Sequence, residues 1–98
     1  MRVSDFSLEF NQKALKEWHK LDATIRLQFA RKLKERMQAP RVEADRLRSL
    51  QDCYKIKLRS AGYRLVYQVI DQRMVITVIT VGKRDRSVVY RSAEKRLG

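Results

Sequence analysis

Between residues 5 and 10 the chain alternates, with Phe6, Leu8 and Phe10 apolar and Asp5, Ser7 and Glu9 polar. A period of two is that of a strand with one buried face. From Asn11 the period lengthens. Ala14, Leu15, Trp18 and Leu21 recur at three- and four-residue steps among Lys13, Lys16, Glu17 and Lys20, which predicts a short amphipathic helix with Asn11 as its N-cap. A second helix is predicted from the stripe Ile25, Phe29, Leu33 and Met37, capped by Asp22 and ended by Pro40. The two helices form a hairpin. Residues 41–52 show no period and read as a connecting loop. From Tyr54 to Val81, β-branched and aromatic residues are broken at Ala61-Gly62 and Asp71-Gln72, the texture of a three-stranded antiparallel meander. A last helix is expected from about Ser87 to Leu97. The fold class that follows is α+β: a mostly antiparallel sheet with an N-terminal helical hairpin and a C-terminal helix, the helices on one side.

Length sharpens this picture. A chain of 98 residues supports one core, so residues 1–98 are expected to form a single domain. The one cysteine, Cys53, has no partner within the chain, no leader-like segment opens it, and no apolar run approaches the ~18 residues of a spanning helix. A cytoplasmic protein that does not engage the membrane is the expectation.

Charge changes the picture most. Lys and Arg number 23 against 11 Asp and Glu, a formal net charge of +12, which points to a polyanionic partner. Residues 1–47 hold 11 cations and 7 acids, and residues 48–98 hold 12 and 4. The second half is the better candidate for the functional surface.

Strand parity sorts that half into two faces. A two-residue turn at Ala61-Gly62 sets Arg59 opposite Arg64, Lys57 opposite Val66 and Lys55 opposite Gln68. One face then carries Lys55, Lys57, Arg59 and Arg64, and the other Tyr54, Ile56, Leu58, Leu65, Tyr67 and Val69. A three-residue loop mixes charge into the apolar face and is rejected. Like charges opposite one another on a sheet destabilise it, and local rules broken in this way tend to mark function. Lys83, Arg84 and Arg86 follow the last strand and, with Tyr90 on the terminal helix, are expected to rim the same face, the cations on phosphates and the tyrosine on an unpaired base. The plainer reading is a solvated, edge-protecting row of lysines and a Tyr90 packed on the core.

Other chemistries are disfavoured. His19 has no second histidine and Cys53 no companions, so neither a zinc site nor any other metal or cofactor is expected, and the scattered acids offer no pair for two-metal catalysis. RNA can be cut without metal if a base takes the proton of a 2′-hydroxyl that attacks the adjacent phosphate, and an acid protonates the leaving oxygen. Crowded cations lower the pKa of a lysine, so Lys55 or Lys57 could serve, while Arg64 and Arg84 stay charged and stabilise the transition state.

The runs Asp52-Cys53-Tyr54-Lys55-Ile56-Lys57-Leu58-Arg59, Gly62-Tyr63-Arg64-Leu65-Val66-Tyr67-Gln68-Val69-Ile70-Asp71 and Val81-Gly82-Lys83-Arg84, with Arg86-Ser87 and Tyr90, closely resemble the RelE toxins of bacterial toxin–antitoxin systems. Ala14-Leu15-Lys16-Glu17-Trp18 and Leu47-Arg48 match as well, whereas residues 1–4 and 91–98 depart from the pattern. The resemblance implies a microbial-ribonuclease-like fold and a ribosome-dependent mRNA endonuclease that enters the A site of the 70S ribosome, against 16S rRNA, and halts translation. It also implies a RelB-like antitoxin, with operator DNA bound only through the toxin–antitoxin complex that represses the operon. By the same resemblance Lys55, Lys57, Arg64, Arg84 and Tyr90 are the catalytic set, and Arg48, Arg59, Lys83 and Arg86 are expected to contact RNA and ribosome.

Three rivals are weighed against this reading. A non-catalytic RNA-binding module would bind with steep salt dependence and cut nothing. A fold relative aimed at a topoisomerase would lack the full cationic set. A repressor acting alone would need a helix-turn-helix that is not evident. Without a histidine or carboxylate pair, naked RNA is expected to be cut poorly, since the ribosome would have to align the attacking oxygen.

Overall fold

The computed structural model describes residues 5–83 and 88–97. The elements follow the predicted order: β1 (Ser7–Phe10), α1 (Gln12–His19), α2 (Ala23–Gln38), β2 (Cys53–Leu58), β3 (Tyr63–Ile70), β4 (Val75–Lys83) and α3 (Val88–Leu97). The Asn11 side chain accepts from the Lys13 amide at 2.9 Å, satisfying one of the free donors at the start of α1. Asp22 stands at the N-cap of α2 without making a side-chain cap bond. Within the 41–52 connection a single 3-10 turn forms at Glu43–Asp45, and Arg46 bridges to Tyr54.

The sheet runs β1-β4-β3-β2. β2, β3 and β4 form the antiparallel meander, but β1 lies parallel to β4, Ser7 against Val75 and Phe10 against Val78. The sheet is therefore mixed. Alternation marks β1 as half-buried and says nothing of its direction.

The helices do not lie on one side as the sequence suggested. Ala14, Leu21, Ile25, Phe29 and Leu33 of the hairpin region pack with Tyr54, Ile56, Leu65, Tyr67 and Val78. Val89 and Ala93 of α3 pack instead with Cys53, Val66 and Ile79, residues whose parity puts them on the face of the lysines. The apolar interruptions of that charged face are the seat of α3. A bulge helps: Val66 pairs with Thr80 and Tyr67 with Val78, so Ile79 is an extra residue that turns toward α3 while Val78 and Val81 stay in the hairpin core.

β1 is short, which leaves the edge of β4 open beyond Val78. Side chains close it. The Glu17 carboxylate accepts from the Val81 amide (3.2 Å) and from Thr80 Oγ1 (3.2 Å), and Arg96 of α3 donates to the Ile79 carbonyl (2.7 Å) and, through both terminal nitrogens, to Glu17 (2.9 and 3.0 Å). This pair bridges α1, β4 and α3, and it satisfies backbone groups that a longer β1 would have taken.

The β2–β3 register differs from the expected one. Leu58 pairs with Tyr63, Lys57 with Arg64, Lys55 with Val66 and Cys53 with Gln68, so the loop holds four residues, Arg59 to Gly62. Gly62, at φ 71°, donates its amide to the Leu58 carbonyl at 2.8 Å. Two- and four-residue loops preserve the same parity, so the predicted faces hold while the opposing partners slide. The like-charged pair is Lys57 with Arg64, not Arg59 with Arg64.

Candidate active site

α3 covers the lower part of its sheet face and leaves the upper end of β2 and β3 open. Lys55 and Lys57, two apart on β2, and Arg64, directly across from Lys57, stand there half-exposed. Each is placed by strand geometry rather than by a flexible loop. Gly82 completes the floor opposite Arg64, and a side chain there would meet Val89 of α3 at 3.7 Å.

Tyr90, in the first turn of α3, leans over this end. Arg64 Nη1 donates to Tyr90 Oη at 2.9 Å, and the guanidinium carbon lies 5.6 Å from the centre of the ring. Tyr90 also packs on the α3 core, so the packing and functional readings of this residue are compatible. Arg64 is held from one side, and among the described residues its guanidinium makes no other hydrogen bond.

The electrostatics follow from the crowding. Lys57 is held below the ordinary lysine range, first by Lys55, then by Arg64, with Arg59 adding to the effect and Asp45 opposing it. A lysine so placed exchanges its proton more readily than a free one.

Beneath the lysines, Arg36 of α2 anchors β2. It donates to the Lys55 carbonyl (3.3 Å), to Tyr67 Oη (2.8 Å) and to Asp45 Oδ2 (2.7 Å), while Tyr67 Oη donates to the Pro40 carbonyl (2.6 Å). This partly buried network fixes the backbone that carries Lys55 and Lys57.

The remaining expected residues are spread more widely. Arg59 is exposed in the loop after β2, next to Lys57. Arg48 is exposed in a loop whose neighbours Leu47 and Leu50 pack on the α3 core, which puts it at the margin of the same face. Lys83 does not join the group: it pairs with Tyr63 and lies two residues beyond Val81, and both neighbours belong to the hairpin side. Its register position is on the opposite face, because an odd step from Gly82 inverts the direction. Arg84 and Arg86 lie outside the described residues. Among the described residues no three His, Cys, Asp or Glu side chains come together, and no helix is long and apolar enough to cross a membrane.

A larger recess of about 370 Å³ sits at the far end of the sheet, lined by Arg41, Asp52, Gln68 and Asp71. Its charges are already paired. Arg41 donates to Asp71 (2.6 Å), Asp52 (3.1 Å) and Tyr54 Oη (3.2 Å), which raises its pKa, Asp71 foremost. It ties the start of β2 to the β3–β4 turn and is remote from the lysines.

Residues 8–88 match the family described as the ParE toxin of the type II toxin–antitoxin system parDE. The mRNA interferase toxin RelE of Escherichia coli K12 is 59% identical over 92 residues, 94% of this chain and 97% of that protein. An arginine-to-alanine mutant of E. coli RelE in the free state superposes with a TM-score of 0.89 at 55% identity, over 96% of this chain and 99% of that one. The toxin of the intact E. coli RelBE toxin–antitoxin complex superposes at 0.80 and 58% identity, over 83% and 99%. The fold and the matched residues thus define a toxin of the type II toxin–antitoxin class. This chain belongs to the RelE/ParE family, and its 59% identity to a RelE places it among the RelE toxins.

Proposed function

We propose that this protein is a single-domain RelE toxin that cuts messenger RNA in the ribosomal A site, without a metal, and is restrained by a RelB-like antitoxin with which it represses its own operon. The cytoplasm, where translating ribosomes are, is its place of action. The observation that carries the reading is the placing of Lys57 directly opposite Arg64 with Lys55 beside it, on the part of the sheet that α3 leaves open. Cations gathered there weaken the sheet and have no acid among the described residues hydrogen-bonded to Lys55 or Lys57.

The chemistry is a transesterification. With its proton affinity lowered by its neighbours, Lys57 in its neutral form takes the proton of the 2′-hydroxyl, whose oxygen attacks the adjacent phosphorus. The bond to the 5′ oxygen breaks, and the ammonium of Lys55 gives that oxygen a proton, leaving a 2′,3′-cyclic phosphate and a 5′-hydroxyl. Arg64 stabilises the added negative charge on the phosphoryl oxygens, with Arg84 assigned the same task by resemblance. Tyr90 orients the base next to the cut while its hydroxyl steadies Arg64. The open, flat site does little to align the attacking oxygen, and this is the part left to the ribosome.

Primer extension on a defined message, with and without programmed ribosomes, tests the reading. Cuts at A-site codons that require ribosomes are expected. Ribosome binding without cuts would favour the binding-module alternative.

A further inference from the structure

β2 is an edge strand, and along that edge, between it and α2, the chain forms a second, smaller recess of about 210 Å³, lined by Lys32, Arg36, Asp45, Ile56, Lys57 and Arg59. Its one acid is occupied, since Asp45 takes a 2.7 Å ion pair from Arg36. Lys32 and Arg59 make no ion pair or side-chain hydrogen bond among the described residues. The recess is thus cationic, with Arg36 engaged by Asp45 and the donors of Lys32 and Arg59 unspent. It is continuous with the active face, because Lys57 and Arg59 also border the shallow cleft that contains Gly62, Tyr63 and Arg64.

We infer that this recess, with Lys32 and Arg59 as its free cations, is a phosphate subsite for the same RNA strand that is cut, and that it receives a phosphodiester flanking the scissile one. The inference rests on the reading of the Lys55–Lys57–Arg64 face as the cutting site. A compact oxyanion suits a recess with ammonium and guanidinium donors and no unpaired carboxylate. The messenger is the occupant of choice because the recess opens onto Lys57: a strand lying over Lys57 and Arg64 reaches it by following its own backbone around the β2 edge. Lys32 projects from α2, some two dozen residues before the lysine pair, and only the packing of α2 beside β2 brings it to the site. Its role is to bind and register the strand.

The test measures binding to ribosomes programmed with a message that carries a 2′-O-methyl group at the cut position and cannot be cleaved. Lys32→Ala, an exposed substitution by a strong helix former, should weaken binding several-fold and lower the slope of log affinity against log salt by about 0.7, the value for one contact to a single strand. Lys34→Ala, exposed on α2 outside the recess, should change neither. A neutral methylphosphonate at one linkage beside the cut should weaken the wild type and add nothing to the loss already seen in Lys32→Ala. An unchanged salt slope in Lys32→Ala would overturn the proposal. So would a Lys32→Ala defect that persists in full at every methylphosphonate position, which would assign the cations to ribosomal RNA. Cutting of an unmodified message by the wild type, scored in parallel, reports separately on the underlying reading.

Discussion

Lys57 and Arg64 face each other across β2 and β3, two like charges at the closest approach that an antiparallel ladder offers. Like charges so placed destabilise the sheet. Lys57→Gln should therefore raise the urea unfolding midpoint while removing most of the cleavage. Equal or lower stability would mean that the sheet does not feel the repulsion.

The same crowding sets the pH dependence. Because the pKa of Lys57 is lowered in the folded protein, its neutral form becomes available below the normal lysine range. Single-turnover cleavage should rise with pH and level off at a pKa below 10.5, and the rise should be lost in Lys57→Gln. For stability the sign is the same: the folded state binds fewer protons than the unfolded one between the lowered and the ordinary pKa, so stability grows with pH across that window.

Gly62 closes the β2–β3 loop at φ 71° with no heavy atom within 4 Å of where a Cβ would sit. Gly62→Ala should thus lose about 1 kcal/mol from backbone strain alone. The pairing of Lys57 with Arg64 should survive, visible as an unchanged cleavage rate at saturating toxin.

Glu17 and Arg96 close the open edge of β4. Burial alone would raise the Glu17 pKa, but bonds from Arg96, the Val81 amide and Thr80 hold it below the ordinary carboxylate value. A depressed folded pKa contributes stability above the unfolded value near 4.5, and this is lost as pH falls through the folded one. Arg96→Ala should lose roughly 1.5–3 kcal/mol at neutral pH, and the gap to wild type should narrow as pH drops below 4.5, read from urea midpoints at the two extremes.

Cys53 is fully buried against α3, and burial, followed by the nearby Asp52, pushes its thiol up to about 12. A thiol reagent at neutral pH should label the native protein only through opening, far more slowly than the urea-unfolded chain. Rapid native labelling would show that α3 leaves the sheet often.

Much of this architecture was readable because side-chain periods report faces. The alternation of Lys55 and Lys57 with Tyr54, Ile56 and Leu58 separated the charged from the apolar side, and the three-to-four-residue stripes of α1 and α2 set their inner faces. Parity could not choose between loops of two and four residues, so the partner of Arg64 was misjudged. Nor does an amphipathic helix say which side of a sheet it covers. Cys53 and Val66, apolar at charged-face positions, were the available sign that α3 sits there. Glu17 and Arg96, like Lys32 and Lys57, meet only through tertiary packing, which no local pattern encodes. The proposed catalytic set was named by family resemblance rather than by composition, and within it the structure brings together Lys55, Lys57, Arg64 and Tyr90.

The most direct measurement is single-turnover cleavage of an A-site codon on programmed ribosomes by the wild type, Lys57→Ala and Arg64→Ala, with ribosome binding measured on the same samples. Each variant should lose at least ~100-fold in rate while binding within several-fold of the wild type. Cleavage by Lys57→Ala and Arg64→Ala at rates near that of the wild type would contradict the assignment of this face as the cutting site.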